Sequence, residues 1–188
     1  MSLDVDRAPS VSFDRTPPQD VAAEQCVLGA MMLSKDAIAD VVERLREDDF
    51  YMPAHQTVYR IILDLYSRGE PADAITVSAG LLASGELQRI GGAPYLHTLV
   101  ASPPLTANAS YYAQIVRDAS MRRRLVEVGS RIVQTGFSGE GEVEDLINRA
   151  QAEVYEITQR TTAEDYAPLS DLLDGVYTEL ESIQNHTG

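Results

Sequence analysis

The sequence predicts an all-α protein: a compact helical head domain, then a long antiparallel helical hairpin, then a separate C-terminal linker helix. Three observations predict this class. Apolar residues recur at intervals of three and four along most of the chain. Asp, Ser or Pro precedes these stretches and Gly follows them, as at helix ends. One apolar stripe near the middle of the chain is longer than a small head domain needs.

Residues 1–19 alternate charge, Ser and Pro without periodicity, and we expect a disordered N-terminal tail. The head domain is predicted over 20–105. Asp20 is placed to cap its first helix, with Glu24 in the first turn. That helix carries a broad apolar stripe made of Val21, Cys26, Val27, Leu28, Met31 and Met32.

Four more helices complete the predicted head. Ser34 caps the second helix, which runs to Leu45 and packs on the first as a hairpin, and Pro53 begins the third, which ends at Gly69. Asp73 or Thr76 begins a short fourth helix. The fifth follows a pair of glycines, and a Ser-Pro-Pro turn closes the head; the residues of these two features are Gly91, Gly92, Ser102, Pro103 and Pro104.

Residues 106–160 are predicted to form the hairpin. A helix from Thr106 or Asn108 to Gly136 would be roughly 40 Å long, since an α-helix rises about 1.5 Å per residue. After a Gly-rich turn, a second helix from Val143 to Gln159 has an apolar seam that suits helix pairing and an interface between copies. The seam consists of Val143, Leu146, Ile147, Ala150, Val154 and Ile157.

Residues 161–188 are predicted to be a polar linker followed by one amphipathic helix that starts at Pro168 or Ser170. Its apolar face has no obvious partner within the chain, so we expect it to dock on another surface. That face consists of Leu169, Leu172, Leu173, Val176, Leu180 and Ile183.

Composition limits the functions that the chain can perform. The formal net charge of −14 argues against tight nucleic-acid binding by this chain alone, because such binding depends on Lys and Arg neutralising phosphates. Cys26 is the only cysteine, so neither an intrachain disulfide nor a thiolate-rich zinc site is expected. The sequence shows no signal peptide and no run of about 20 apolar residues. We therefore expect a cytoplasmic protein without a membrane partner.

No catalytic, cofactor or metal site is expected. Lys35 is the only lysine and lies outside any Gly-rich loop, so a Walker A phosphate-binding loop is excluded from this sequence. His55, His97 and His186 lack the spacing of metal ligands, and we expect them at helix surfaces or caps. The pair Asp48 and Asp49 is predicted to lie in a solvated turn.

Arg122, Arg123 and Arg124 form the one basic cluster, with Arg117 one turn earlier. One hypothesis is a patch that contacts phosphate or the acidic surface of a partner; if it contacts phosphate, the chain would be a single-stranded DNA-binding module. The alternative is a solvated helix face that pairs with neighbouring acidic residues.

Several stretches, in the same order along the chain, resemble the N-terminal domain of DnaB-family replicative DNA helicases. They read PQDVAAEQCVLGAMM, DDFYMPAHQTVYRIILDLYSRGEPAD, GGAPYL and SYYAQIVRDASMRRRL. The resemblance covers the chain from Pro18 onward. It implies that a RecA-like ATPase domain follows in a longer protein, which would be an ATP-dependent helicase using ATP and magnesium.

The resemblance also implies a function and partners. N-terminal domains of this family form the collar of a hexameric ring arranged as a trimer of dimers, in which helical hairpins pair. The collar docks primase and helicase loaders, and the linker helix docks on the ATPase domain of a neighbouring subunit. DNA is contacted through the full-length ring only. We therefore expect an assembly and docking module.

Overall fold

The computed structural model describes residues 16–102, 109–138 and 141–162. Every regular element within these ranges is helical, which confirms the predicted all-α class. The described residues form α1 (Val21–Leu33), α2 (Lys35–Arg44), α3 (Pro53–Ser67), α4 (Ala74–Ala83), α5 (Ala93–Ala101), α6 (Ala109–Ser138) and α7 (Val143–Thr162). A short 3₁₀ turn, Glu47–Asp49, precedes α3. Contacts divide the chain into two units, Met1–Arg123 and Arg124–Gly188.

Helix α1 is the centre of the first unit. It contacts α2, α3 and α5, so it is buried on nearly all sides rather than along one stripe. Val27 and Leu28 are fully buried, and even Gly29 lies in the interior. Full burial of such an aliphatic side chain contributes about 1.5–3 kcal/mol to folding. Helix α2 packs against α1, as predicted, and its Ile38 and Val41 side chains lie in this same core.

The predicted helix starts are confirmed in the first unit. The Asp20 side chain accepts a hydrogen bond from the Ala23 N–H at 2.9 Å, and Ser34 accepts one from the Ala37 N–H at 3.4 Å. Pro53 occupies the first turn of α3, where a backbone N–H would have no intrahelical partner. Gly69 ends α3 at φ +73°, and the next N–H bonds back to the Leu65 carbonyl at 3.0 Å.

Helix α4 is held by its cap and by a close approach to α3. Asp73 accepts hydrogen bonds from the Ile75 and Thr76 N–H groups at 2.9 and 3.0 Å. The bond from the Thr76 backbone is the main cause of a lowered pKa of the Asp73 carboxyl. A Cβ added to Gly80 would lie 2.9 Å from the Cγ2 atom of Ile61, so any larger residue at this position would force Ile61 or the helices to shift.

The first half of α6 belongs to the head, contrary to the predicted boundary at residues 105 and 106. Ala113 and Val116 are buried in the same core as α1, and the first unit, which is the head, extends along α6 to Arg123. The helix also continues past Gly136, its predicted end, to Ser138. None of the helices in the described ranges is long and apolar enough to cross a membrane.

The predicted disordered tail, residues 1–19, includes residues that belong to the folded head. Pro18 and Gln19 are half-buried, and the Pro18 carbonyl accepts a hydrogen bond from Arg123 at 2.9 Å. Residues 1–15 lie outside the described residues, as does most of the predicted Ser-Pro-Pro turn.

Candidate assembly interface

The second unit contains an antiparallel pair of helices, as predicted: the last part of α6 and α7. The Nε atom of Arg131 donates to the Oε2 atom of Glu153 at 3.0 Å. Further along α6, Ile132 shares a groove with Ile147 and Ala150, so residue numbers rise on one helix as they fall on the other. Val128 is the most enclosed apolar residue between them, at 5% exposure.

One side of this pair is apolar. An open groove of about 460 Å³ runs along it and is lined by Ile132, Ile147, Ala150, Gln151, Val154 and Tyr155. A second groove of about 320 Å³, which shares Ile132, Ile147 and Ala150 with the first, continues the surface to Val143 and is also lined by the charged side chains of Arg149 and Glu153. We call this surface, from Ile132 on α6 to Val143, Ile147, Ala150 and Val154 on α7, the apolar side.

The opposite side is charged. Its lining residues are Arg124, Glu127, Val128, Arg131, Glu153, Glu156 and Ile157. The ion pair between Arg131 and Glu153 lies on this side and is partly solvated. The pair of helices is therefore amphipathic as a unit, with one side suited to water and the other to an apolar partner.

The six predicted seam residues divide between two roles. Val143, Ile147 and Val154 are exposed, at 70, 54 and 43%. Leu146, Ala150 and Ile157 are half-buried, because part of each faces α6 rather than solvent. The exposed residues are thus the ones available to a partner, whereas the half-buried ones also hold the pair of helices together.

Sequence reasoning missed two exposed aromatic residues of the same unit, Phe137 and Tyr155, of which Tyr155 lines the larger groove. Phe137 is 88% exposed on the last turn of α6. The sequence predicts that the helix ends at Gly136, but a glycine inside a helix costs only about 1 kcal/mol, and α6 continues to Ser138. The signal available was the continued apolar spacing from Val133 to Phe137 across that glycine.

The predicted basic patch does not form as one surface, because Arg123 is buried at 9% exposure. Its guanidinium donates to the Pro18 and Asp49 carbonyls at 2.9 and 2.5 Å and lies 5.6 Å from the centroid of the Tyr51 ring. Arg117 is half-buried and donates to the Arg44 carbonyl at 2.8 Å.

Arg122 is exposed on α6, whereas Arg124 is partly buried and lines the charged side of the second unit. Two of the four predicted patch residues, Arg117 and Arg123, therefore bind backbone carbonyls of the head.

The prediction of a solvated turn is wrong for Asp49, which is 3% exposed. Its carboxylate accepts hydrogen bonds from the Ser120 hydroxyl at 2.7 Å and from the Arg46 N–H at 2.8 Å. Asp48 is exposed, as expected. The Asp49 carboxylate therefore lies buried against α6, whereas the Asp48 side chain is exposed.

The prediction of a surface or capping role is wrong for His55, which is fully buried. Its Nδ1 atom lies 2.5 Å from the Glu24 carboxylate and its Nε2 atom 2.7 Å from the Tyr95 hydroxyl. Glu24 also accepts hydrogen bonds from the N–H groups of Tyr51 and Met52, at 2.6 and 3.4 Å. This chain, which we call the Glu24–His55–Tyr95 network, joins α1, α3 and α5 inside the head.

The remaining titratable candidates form no site in the described residues. His97 is exposed on α5, as expected, and His186 lies outside the described residues. Burial, followed by the nearby Asp20 carboxylate, raises the pKa of the Cys26 thiol, which makes this half-buried cysteine less reactive. No group of three or more His, Cys, Asp or Glu in the described ranges is arranged to hold a metal ion.

The predicted linker-helix face, Leu169 to Ile183, also lies outside the described residues.

Comparisons with known proteins agree with this architecture. The model of the DnaB-like helicase N-terminal domain family matches residues 16–118. The replicative DNA helicase DnaB of Mycobacterium leprae is 58% identical over 182 residues, which are 96% of this chain and 30% of that protein. The chain spans about a third of the length of the curated relatives that it matches.

Solved structures share the fold. The crystal structure of the N-terminal domain of DnaB helicase from Mycobacterium tuberculosis superposes with a TM-score of 0.72 at 64% identity, covering 74% of this chain and 99% of that one. A structure describing a DnaB-like replicative helicase and its interactions with primase gives a TM-score of 0.61 at 24% identity, covering 87% of this chain and 35% of that one. The second likeness shows the fold alone.

Proposed function

This chain belongs to the DnaB-like helicase N-terminal domain family, and from that premise we propose that it assembles copies of a replicative DNA helicase. The assembly surface is the apolar side of the α6–α7 pair. The chain itself supplies no ATPase chemistry in this proposal; ATP and magnesium would be used by the ATPase domain of the whole helicase. The chain's contribution is to hold copies together and to dock partners.

The observation that carries the proposal is the concentration of exposed apolar side chains on one side of a single pair of helices. Val143, Ile147 and Val154 lie within about two to three turns of α7, at 70, 54 and 43% exposure. A monomer that keeps such a contiguous surface in water loses the burial free energy that a second copy would provide, about 25 cal/mol per Å² of apolar area.

Self-association is tested by placing charge on the apolar side. The variant Ile147→Asp with Val154→Asp changes exposed side chains, so it should leave the α6–α7 pair folded. Burial of two unpaired carboxylates in the interface is strongly unfavourable, so we expect association to weaken by at least about 100-fold, or about 3 kcal/mol. Analytical ultracentrifugation across a concentration series measures this, with circular dichroism to check the fold.

A matched control is available on the same helix. Asn148 and Ala152 are exposed and lie away from the apolar side. The variant Asn148→Asp with Ala152→Asp adds the same charge there, and we expect it to associate like the parent. Equal association of the apolar-side variant and the parent would refute the proposed surface, as would a parent chain that is strictly monomeric at high micromolar concentration.

The number of subunits and the docking partners are proposed from membership of the family. We propose a hexameric ring built as a trimer of dimers, with primase and a helicase loader as docking partners and the linker helix bound to a neighbouring ATPase domain. Support for primase comes from a fold neighbour whose structure was solved in a study of its interactions with primase. Mass measurement of the chain with and without purified primase tests both parts; no mass increase with primase would refute that partner.

Direct DNA binding by this chain is the weaker hypothesis. Arg123 and Arg117 donate to backbone carbonyls of the head, so their guanidinium groups are already engaged. The net charge of −14 opposes approach to phosphates. Binding of single-stranded DNA at low salt, with an affinity that falls steeply as salt rises, would revive it.

A further inference from the structure

Helix α4, in the first unit, is apolar on all sides yet only partly covered. None of its 10 residues is charged, although 23% of the residues in the chain are. Its Val77 and Leu81 side chains are buried, and the helix contacts α3 and α5. Since a helix that is apolar all round is normally buried all round, its exposed face lacks the cover that such a helix usually has.

We call this exposed face the outer face of α4. Its members recur at helical spacing and are Ile75, Ala79, Leu82 and Ala83. Ile75 is 78% exposed and Leu82 is 68% exposed. Among the described residues of the first unit, the other large apolar side chains that are more than half exposed, Leu33 and Tyr111, lie singly on other helices. Single exposed apolar residues are ordinary, whereas several on one helix face indicate a contact surface.

The size of the outer face suits a single docked helix. A helix of 10 residues is about 15 Å long and about 10 Å wide, which gives a footprint of roughly 150 Å². A stable pair of proteins buries about 800 Å² on each partner. Two copies of this chain, each with a net charge of −14, also repel one another. A second copy is therefore a poor occupant for so small a surface.

The N-terminal end of α4 is acidic. The end of α3 and the loop that leads into α4 carry the exposed carboxylates of Asp64, Glu70 and Asp73. Arg68 is the one cation of this stretch, and its ion pairs with Asp64 and Glu70 measure 2.9 and 3.2 Å. Three carboxylates against one guanidinium leave an excess of negative charge, which attracts a basic partner.

The C-terminal end of α4 is electrically balanced. Arg60 pairs with Glu86 at 3.0 Å and with Glu47 at 3.5 Å, and Arg89 is exposed in the turn after α4. Two cations thus accompany two carboxylates at this end. Charge therefore selects basic residues in a partner at the N-terminal end of α4 only.

We propose that the outer face of α4 docks a helix of another protein, one that carries apolar residues at helical spacing and Lys or Arg beside the N-terminal end of α4. The contact is weak and readily reversible, because its area is small. The inference rests on the docking role in the proposed function and adds a surface and a partner chemistry to it. It makes no use of the apolar side of the α6–α7 pair.

A labelled peptide tests the contact by fluorescence anisotropy. The peptide has about 18 residues, roughly 27 Å when helical, with leucines along one face and lysines along the other. The protein is the 188-residue chain carrying Ile147→Asp and Val154→Asp, since the leucines would also bind the apolar side. Adding Ile75→Asp with Leu82→Asp should weaken binding at least about tenfold, although the new carboxylates attract lysine. Absence of peptide binding before these two changes are added would overturn the inference.

Two further variants control for charge and for folding. Ala39 and Ala101 are exposed on α2 and α5, and Ala39→Asp with Ala101→Asp adds the same charge outside α4, so we expect no loss of binding. Ile75→Ala with Leu82→Ala keeps good helix formers and should also weaken binding, with circular dichroism unchanged. Equal binding by the α4 variants and the Ala39 and Ala101 variant would overturn the inference.

The basic character of the partner is tested separately. Glu70→Gln with Asp73→Asn removes two charges while Asn keeps the cap of α4, and it should weaken binding of the lysine peptide about threefold at low salt and less at high salt. A peptide with the same leucines but glutamates in place of lysines should bind at least about tenfold more weakly than the lysine peptide. Equal affinity of the two peptides would overturn the proposed chemistry.

Ultracentrifugation of the chain with Ile147 and Val154 unchanged tests a second copy as the occupant. Ile75→Asp with Leu82→Asp should leave association as in the parent, and weaker association would overturn the inference in favour of a second copy. If charge on the apolar side leaves association unchanged, the proposed assembly surface is wrong and the peptide still decides the role of α4. If the α4 variants bind the peptide normally, the docking surface is wrong and the assembly surface stands.

Discussion

The Glu24–His55–Tyr95 network should contribute strongly to the stability of the head, because all of its polar atoms pair in the interior. Glu24 is 1% exposed and its carboxylate accepts three hydrogen bonds, from the N–H groups of Tyr51 and Met52 and from the His55 ring. Glu24→Ala would leave two backbone N–H groups and the Nδ1 atom of His55 without this partner in the interior. Each buried unsatisfied donor costs about 1–3 kcal/mol, so we expect a loss of about 3–5 kcal/mol.

Thermal and urea unfolding followed by circular dichroism measure this loss. For a domain of this size, about 3–5 kcal/mol corresponds to a fall in Tm of more than about 10 °C. Glu43→Ala is the matched control, because Glu43 is exposed on α2, and we expect a change within about 0.5 kcal/mol. A loss below about 1.5 kcal/mol for Glu24→Ala would refute the reasoning, since it would mean that the three donors find other partners.

Glu24→Gln sharpens the same test. The amide keeps one acceptor oxygen for the backbone N–H groups but presents an NH₂ group to the Nδ1 atom of His55. The imidazole can adapt by moving its proton to Nε2, which then donates to the Tyr95 hydroxyl. We therefore expect a smaller loss, about 1–2 kcal/mol, and the change of tautomer should be visible in the ¹⁵N chemical shifts of the His55 ring.

Three further predictions concern the head and α6. Asp73→Ala should destabilise the head by about 1 kcal/mol through loss of the α4 cap. Because the Thr76 N–H lowers the folded pKa of Asp73, the cap's contribution to stability should be present above about pH 4 and should be lost as pH falls through that lowered pKa. Urea titrations at several pH values measure this loss, which Asp73→Asn should not show. Gly80→Ala should destabilise the head by about 1–3 kcal/mol, because the added Cβ would lie 2.9 Å from Ile61 of α3, whereas Gly129→Ala, whose Cβ has nothing within 4 Å, should stabilise α6 by about 1 kcal/mol and raise Tm. Equal changes in Tm for the two variants would contradict the close approach of α4 to α3. Arg123→Lys should cost about 1.5–3 kcal/mol in urea unfolding, since one ammonium cannot reproduce a guanidinium that serves two carbonyls, and an unchanged midpoint would show that those bonds contribute little.

Helix starts were predictable from sequence because their determinants are local. Asp20, Ser34 and Asp73 accept hydrogen bonds from N–H groups two or three residues ahead, so the residue type and the following apolar spacing suffice. The same holds for Gly69, whose left-handed backbone ends α3. Such signals are present in any short window of the chain.

Buried polar residues were not predictable because their partners are distant along the chain. His55 meets Glu24 across 31 residues and Tyr95 across 40 residues, and Asp49 meets Ser120 across 71. Composition and spacing favour a surface position for each of these side chains, and only the packed fold shows that they pair. Arg123 was misplaced for the same reason, since its acceptors lie 105 and 74 residues away.

The candidate interface was predictable in part. The seam on α7 was visible as apolar spacing, but the spacing alone does not show which of its members face α6 and which face solvent. That distinction required the register of the two helices, which the ion pair between Arg131 and Glu153 and the groove at Ile132 define. Val143, Ile147 and Val154 emerged from it as the exposed members.

The Glu24–His55–Tyr95 network also constrains the order of events during synthesis on the ribosome. Glu24 and His55 are made early, but the third member, Tyr95, is 40 residues beyond His55. Until Tyr95 leaves the exit tunnel, the nascent chain holds an imidazole whose Nε2 atom has no phenol to bind. We expect the first three helices to remain loosely packed on the ribosome and to consolidate only when α5 arrives, so a pause in translation before α5 would prolong exposure of the head's apolar core to chaperones.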